Sequence, residues 1–133
     1  MASNVVWLQT VAVIEDFTCG TSDEELASAR RIIADHLDAE GVHSAIARDV
    51  VLAFAELTTP RTGGRPDAKI SVGLEIDRDE IKLRVHSSTA MVADQHESGE
   101  QDLMLHLLGD RVDRAVAEDG TTAITITKRR LGR

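Results

Sequence analysis

Aromatic side chains are nearly missing from this 133-residue chain: Trp7, Phe17 and Phe54 are all it has, and it contains no tyrosine. Any core must therefore be aliphatic, built from Val, Ile, Leu and Ala. Cysteine is single, at Cys19, which excludes an intramolecular disulfide. Basic charge is in deficit, with 15 Lys and Arg against 23 Asp and Glu and a net charge of -8. A chain so acidic lacks the basic face that nonspecific binding to DNA or RNA needs. It suits instead a partner that is itself basic, such as a nucleic-acid-binding protein. Long apolar runs are also missing. The opening Met-Ala-Ser-Asn-Val-Val-Trp has no basic n-region, so neither a signal peptide nor a transmembrane helix is read, and the expectation is a cytoplasmic protein.

What is present is ordinary for a soluble fold: 42% hydrophobic and 29% charged residues. The length fits one domain, residues 1–133, with a real core. Val5 to Glu15 is apolar and β-branched, and predicts one strand or two short ones around Gln9-Thr10. Its two apolar faces suit packing on both sides, or an edge, with Trp7, that meets another subunit. Thr21-Ser22-Asp23-Glu24-Glu25 is a helix start, with Ser22 as cap and Glu25 completing a capping box. Leu26, Ala29, Ile32, Ile33, His36 and Leu37 follow at helical spacing, and Gly41 closes the helix. A second helix is capped by Ser44, buries Ile46, Val50, Ala53, Phe54 and Leu57, and stops before Pro60.

Ile70, Val72, Leu74 and Ile76 alternate, as do Ile81, Leu83 and Val85, around the polar Asp77-Arg78-Asp79-Glu80. This predicts a β-hairpin with one face in the core. Ser87 to Gln101 reads as a long loop. Leu103, Met104, Leu107, Leu108 and Val112 describe the buried stripe of a third helix, Glu118-Asp119-Gly120 a turn, and Ala123 to Thr127 a last strand. The expected fold is α/β: a two-layer sandwich with three helices on one face of a mixed or antiparallel sheet.

That order, and three segments within it, resembles the histidine-kinase-like ATPase (GHKL) fold, and within it the small bacterial anti-sigma factor serine kinases. Ala29-Arg30-Arg31-Ile32-Ile33 looks like that family's first helix. Val50 to Thr59 looks like the helix bearing its first nucleotide box. Ile81 to Val85 looks like the strand leading to its second, and Leu103 to Arg114 like its last helix. The resemblance covers roughly Val11 to Lys128.

The nucleotide boxes depart from the family. The first should read Glu-Leu-x-x-Asn, the acid activating a hydroxyl or water and the asparagine holding magnesium. Glu56 supplies the acid, but Pro60 stands for the asparagine and has no side-chain oxygen to give a cation. The second, Asp-x-Gly-x-Gly, is represented by Ser87-Ser88-Thr89-Ala90-Met91. Ser87 replaces the base acceptor, and Thr89 and Met91 replace the glycines that let a lid approach the ligand. The third, a glycine-rich phosphate loop, is Ser98-Gly99-Glu100-Gln101-Asp102, whose acids repel a triphosphate. The remnant pocket is thus Glu56, Pro60, Ser87, Thr89 and Met91. No catalytic set is complete, Glu56 being the one retained candidate, and neither a cofactor nor a metal is expected.

Other features have plain readings. Glu56 in a last helical turn suits solvent or a pair with Arg61. Thr62-Gly63-Gly64-Arg65-Pro66 lacks the lysine and spacing of a P-loop. Ser87-Ser88-Thr89 has no His or Asp at a motif distance. His36, His43, His86, His96 and His106 show no metal spacing. Lys128-Arg129-Arg130 with Arg133 reads as a solvated tail. The acids and then Arg30 and Arg31 of the first helix compensate its dipole. In the resembled family this helix meets the sigma factor, so Arg30 or Arg31 is the candidate partner contact.

The resemblance implies a cytoplasmic transcription regulator: an anti-sigma factor, or close relative, that occludes a sigma factor without ATP hydrolysis. Its partners would be a sigma factor or an anti-sigma antagonist, and it would work as a homodimer. The partner surface would include the first helix and Ser87 to Gln101. Two alternatives stand beside it. One is an active serine kinase that uses ATP and magnesium in a diverged pocket. The other is a small-ligand sensor in which Met91 and Met104 line the emptied site.

Overall fold

A computed structural model describes residues 13–58, 69–87, 98–116 and 121–130. Strand β1 (Val13–Gly20) leads to helices α1 (Asp23–Ala39) and α2 (Ser44–Thr58). The hairpin β2 (Lys69–Ile76) and β3 (Glu80–Ser87) follows, then helix α3 (Ser98–Leu108), β4 (Arg111–Val116) and β5 (Thr122–Arg129). One five-stranded sheet has the order β1-β2-β3-β5-β4, and every neighbouring pair is antiparallel. The α/β sandwich expected from the residue pattern is the fold observed, with a purely antiparallel sheet.

Register explains the core. Val72 faces Val85, which faces Ile124; Leu74 faces Leu83, which faces Ile126. These rows, with Ile70, Ile76 and Ile81, point to the helices and are buried. Leu26, Ala29, Ile33 and Leu37 of α1 and Ile46, Val50, Ala53, Phe54 and Leu57 of α2 close over them. Phe54 is fully buried and is the largest core side chain. Burial of this aliphatic set drives the fold, at about 25 cal/mol per Å² of apolar surface removed from water.

The helix ends follow their local chemistry. Ser22 Oγ accepts from the Glu25 N–H at 3.1 Å and its hydroxyl donates to Glu25 Oε1 at 2.8 Å. At the far end Gly41 takes φ 74°. Its N–H donates to Asp38 O at 3.0 Å, and the Val42 N–H donates to Leu37 O at 3.0 Å. This paired arrangement satisfies two orphan carbonyls and needs a left-handed residue at its centre. Helix α2 begins one residue differently from expectation. Ser44 is its first helical residue, and the His43 ring caps it, with Nδ1 accepting from the Ala45 N–H at 3.1 Å.

Three expectations need correction. The first strand extends from Val13 to Gly20, well beyond Glu15, because Phe17 and Cys19 register with Val72 and Ile70. The Val5–Ala12 part of that reading, with Trp7, lies outside the described residues.

The third helix occupies Ser98–Leu108, so Ser98 to Gln101 is helix rather than loop, and Val112 lies on a strand. Gly109 breaks the helix. Its N–H donates to Leu105 O at 2.8 Å, and the next N–H, of Asp110, already donates to Thr127 O on β5 at 2.8 Å. Asp110 Oδ2 then accepts from the Arg129 N–H at 2.7 Å. This junction also sets the rotation of α3. Leu105 is buried, while Leu103, Met104 and Leu107, expected inside, are exposed.

The C-terminal basic cluster is not a solvated tail. Lys128 Nζ pairs with Asp49 of α2 at 3.0 Å. Arg130 donates from Nη1 to Asp77 O at 2.7 Å and from Nη2 to Glu40 O at 2.9 Å. These cations tie the last strand to the β2–β3 turn and to both long helices.

Candidate functional site

The Lys128–Asp49 and Arg130–Glu40 contacts place the start of α2 beside the start of β3 and the end of β5. Helix α2 therefore runs in the direction of β3, and the two finish at the same end of the domain. Residues Glu56 to Thr58, Ser87, Thr121 and the Cys19–Gly20 terminus of β1 gather there, since Cys19 registers with Ile70, Ile70 with Ser87, and Ser87 with Thr122. Two segments read from the sequence as nucleotide boxes thus meet at one end of the sheet.

The groups at that end are largely committed within the fold. Thr58 is buried and its hydroxyl donates back to Phe54 O at 2.8 Å, so its proton is spent inside the helix. Glu56 is half-buried and already holds an interaction within the protein. His86 Nε2 lies 3.3 Å from Thr121 Oγ1, joining the ends of β3 and β5. Burial pushes the Cys19 thiol up, and the neighbouring Glu25 carboxylate adds to the effect. The Glu25 carboxyl is held below the ordinary range, chiefly by the Ser22 hydroxyl, with the Ser22 and Gly20 N–H groups and Lys69 assisting. Pro60, Thr89 and Met91 of the remnant pocket, with Arg61, the Thr62–Pro66 loop and His96, lie outside the described residues. Among the described residues no three of His, Cys, Asp and Glu converge as a metal site.

The remaining candidates are dispersed. Arg31 is exposed on α1, on the same face as Ser28, Ile32 and Asp35, whereas Arg30 is half-buried at the flank. His36 pairs with Glu15 of β1 at 3.5 Å and so braces α1 on the sheet edge. Met104 is exposed and does not line an internal pocket. The outer surface of the helix layer presents Ile32, Leu52, Leu103, Met104 and Leu107, with Leu103 62% and Leu107 68% exposed. Apolar residues collected on one outer face are a protein-contact signal. The spacing of Leu103, Met104 and Leu107 was visible in the chain, but only the rotation of α3 shows that it faces outward.

A second feature was not read from the sequence. The sheet face opposite the helices holds an open cleft of about 380 Å³ lined by Asp16, Thr18, Ser71, Gly73, Arg84 and His86 among others. The signal was available: these are the non-core positions of the alternation in β1, β2 and β3.

No protein-family model matches the chain, and no curated protein sequence matches it. Solved structures do. The RsbU and RsbW domains of Rv1364c from Mycobacterium tuberculosis align with a TM-score of 0.64 at 16% identity, covering 88% of this chain and 32% of that one. This chain thus spans about a third of that neighbour. The SiaB–SiaC complex from Pseudomonas aeruginosa aligns with a TM-score of 0.61 at 10% identity, covering 95% of both chains. The structural counterparts are the RsbW domain and SiaB, of the anti-sigma factor serine kinase-like, GHKL type. At these identities the likeness is one of fold, and it is the fold that Val50–Thr59 and Ile81–Val85 pointed to.

Proposed function

We propose that the chain is a protein-binding regulator of transcription, an anti-sigma factor or close regulatory relative that holds a sigma factor without hydrolysing ATP. One observation carries the reading. The frame is that of the RsbW domain and SiaB, while Pro60, Ser87, Thr89 and Met91 replace the cation ligand, the base acceptor and the lid glycines of that frame. A single lost contact can be compensated; losing three kinds together removes the basis for nucleotide chemistry. The helix layer supports a protein partner, with Arg31 beside Ile32 on α1 and the exposed leucines of α3. The acidic body suits a basic, nucleic-acid-binding partner. Under this reading the protein is cytoplasmic and bacterial, acts as a homodimer, and exchanges its sigma factor for an anti-sigma antagonist.

The test is affinity capture from cells followed by identification of the partner, with Arg31→Glu as the control variant. A sigma factor or antagonist should be recovered with the wild type and depleted with the variant. Recovery of neither sinks the reading. Isothermal titration with Mg-ATP should show no binding in the micromolar range.

Retention of Glu56 at the end of α2 supports a second reading, an active serine kinase with a diverged pocket. Labelled-phosphate transfer to an antagonist domain, abolished by Glu56→Gln, would establish it and displace the first.

A further inference from the structure

We infer that the open face of the sheet carries a binding site for a small neutral polyol or monosaccharide, at the cleft around Gly73. On that face the register sets Asp16 against Gly73 and Gly73 against Arg84, and in the next row Thr18 against Ser71 and Ser71 against His86. Glycine in mid-strand lacks a side chain to pack and weakens the strand by about 0.5–1 kcal/mol relative to alanine. Its presence there commonly marks close approach by a ligand or another backbone. Here it leaves a hollow of about 380 Å³ in an otherwise side-chain-covered sheet.

The geometry over that hollow selects the ligand chemistry. The point where a Cβ of residue 73 would lie is 3.0 Å from Asp16 Oδ1, 3.5 Å from Arg84 Nη2 and 3.6 Å from Arg84 Nε. An acceptor and a donor therefore bracket one position. A hydroxyl group fits it, donating its proton to Asp16 and accepting from Arg84. An anion there would face the Asp16 carboxylate, and a cation the Arg84 guanidinium. The opposed charges of Asp16 and Arg84 balance, which favours an uncharged molecule. Thr18, Ser71 and His86 border the same cleft and offer further hydroxyl and imidazole partners for neighbouring hydroxyl groups. The cleft volume is at the small end of ligand pockets and suits one sugar-sized ring.

The site lies across the sheet from the helix layer, so it stands or falls independently of the proposed partner. Amide spectra of the full chain, titrated with D-glucose, D-ribose and myo-inositol to about 50 mM, read it directly; a weak, open site of this kind is expected to bind at about 1–10 mM. Saturable shifts should appear at Asp16–Thr18, Ser71–Gly73 and Arg84–His86 with at least one probe. They should be lost in Arg84→Met and in Gly73→Val, whose side chain fills the hollow while favouring a strand. Absence of saturation with all three probes, or shifts that persist in Gly73→Val, overturns the proposal. So does light scattering that shows a dimer broken by Gly73→Val with no response to any probe, because the face is then covered by a second copy of the chain.

Discussion

Replacing Gly109 by alanine distinguishes two readings of the same residues by the sign of its effect. If Leu103 to Arg114 were one helix, Gly109 would be an interior helical glycine, and alanine would stabilise the protein by about 1 kcal/mol. The structure reverses this. Gly109 is buried where α3 turns onto β5, and a Cβ there would run into Ile126 Cγ2 and sit 3.4 Å from Thr127 O and 3.5 Å from Leu105 O. Ile126 belongs to the buried core and cannot swing aside. Overpacking of this sort costs about 1–3 kcal/mol, against about 0.4–1 kcal/mol recovered from the stiffer unfolded chain. The net expectation is a loss of roughly 0.5–2 kcal/mol, read by thermal and urea denaturation as a fall in Tm of about 2–8 °C. The clash has one main partner, so a cycle with Ile126→Ala should be non-additive, the double variant recovering about 1 kcal/mol of the summed losses. A rise in Tm for Gly109→Ala, or strict additivity, would falsify the placement of α3 against β5.

Lys128→Met should destabilise by about 1–2 kcal/mol, since the pair with Asp49 is only partly exposed; adding Asp49→Leu should return much of the loss, and equal effects of the single and double variants would refute the coupling. Arg130→Ala should cost about 1.5–3 kcal/mol by urea denaturation, and Arg130→Lys should rescue little, because one ammonium cannot span the Asp77 and Glu40 carbonyls. Glu25 contributes stability above its unfolded pKa, and that contribution disappears as pH falls through its depressed folded value. Glu25→Gln should therefore flatten the acid limb of a Tm–pH curve, and an unchanged limb would count against the Ser22 contact. Cys19, pushed up by burial, should react with a disulfide reagent near pH 8 several-fold more slowly than in the unfolded chain.

Much of the architecture was legible because local and tertiary demands agree. The alternation Ile70-Val72-Leu74-Ile76 faces the core as written, and Ser22, Glu25 and Gly41 perform their capping roles where they stand. Legibility failed where a residue serves a distant contact. Val112 and Val116 are spaced for a helix as well as a strand, and only the waiting edge of β5 decides. Lys128 and Arg130 look like a free tail until Asp49, Asp77 and Glu40, far away in the chain, are brought beside them. At the candidate site, Glu56 and Ser87 were identified and do share one end of the sheet. The cleft at Gly73 was missed because it arises from three strands in register, and no single strand shows it.

The strand order carries a consequence for how the domain comes into being. β5 follows every other strand in the chain, yet it lies between β3 and β4, and β4 pairs with no other strand. During synthesis β1, β2, β3, α1 and α2 can associate early, leaving β3 with an open edge. β4 emerges with no neighbour to join until β5 arrives and fills both roles at once. Completion is thus a late, nonlocal step, slow by the general relation between contact separation and folding rate. Until it occurs, the half-built sheet shows a long apolar flank on which another strand can pair.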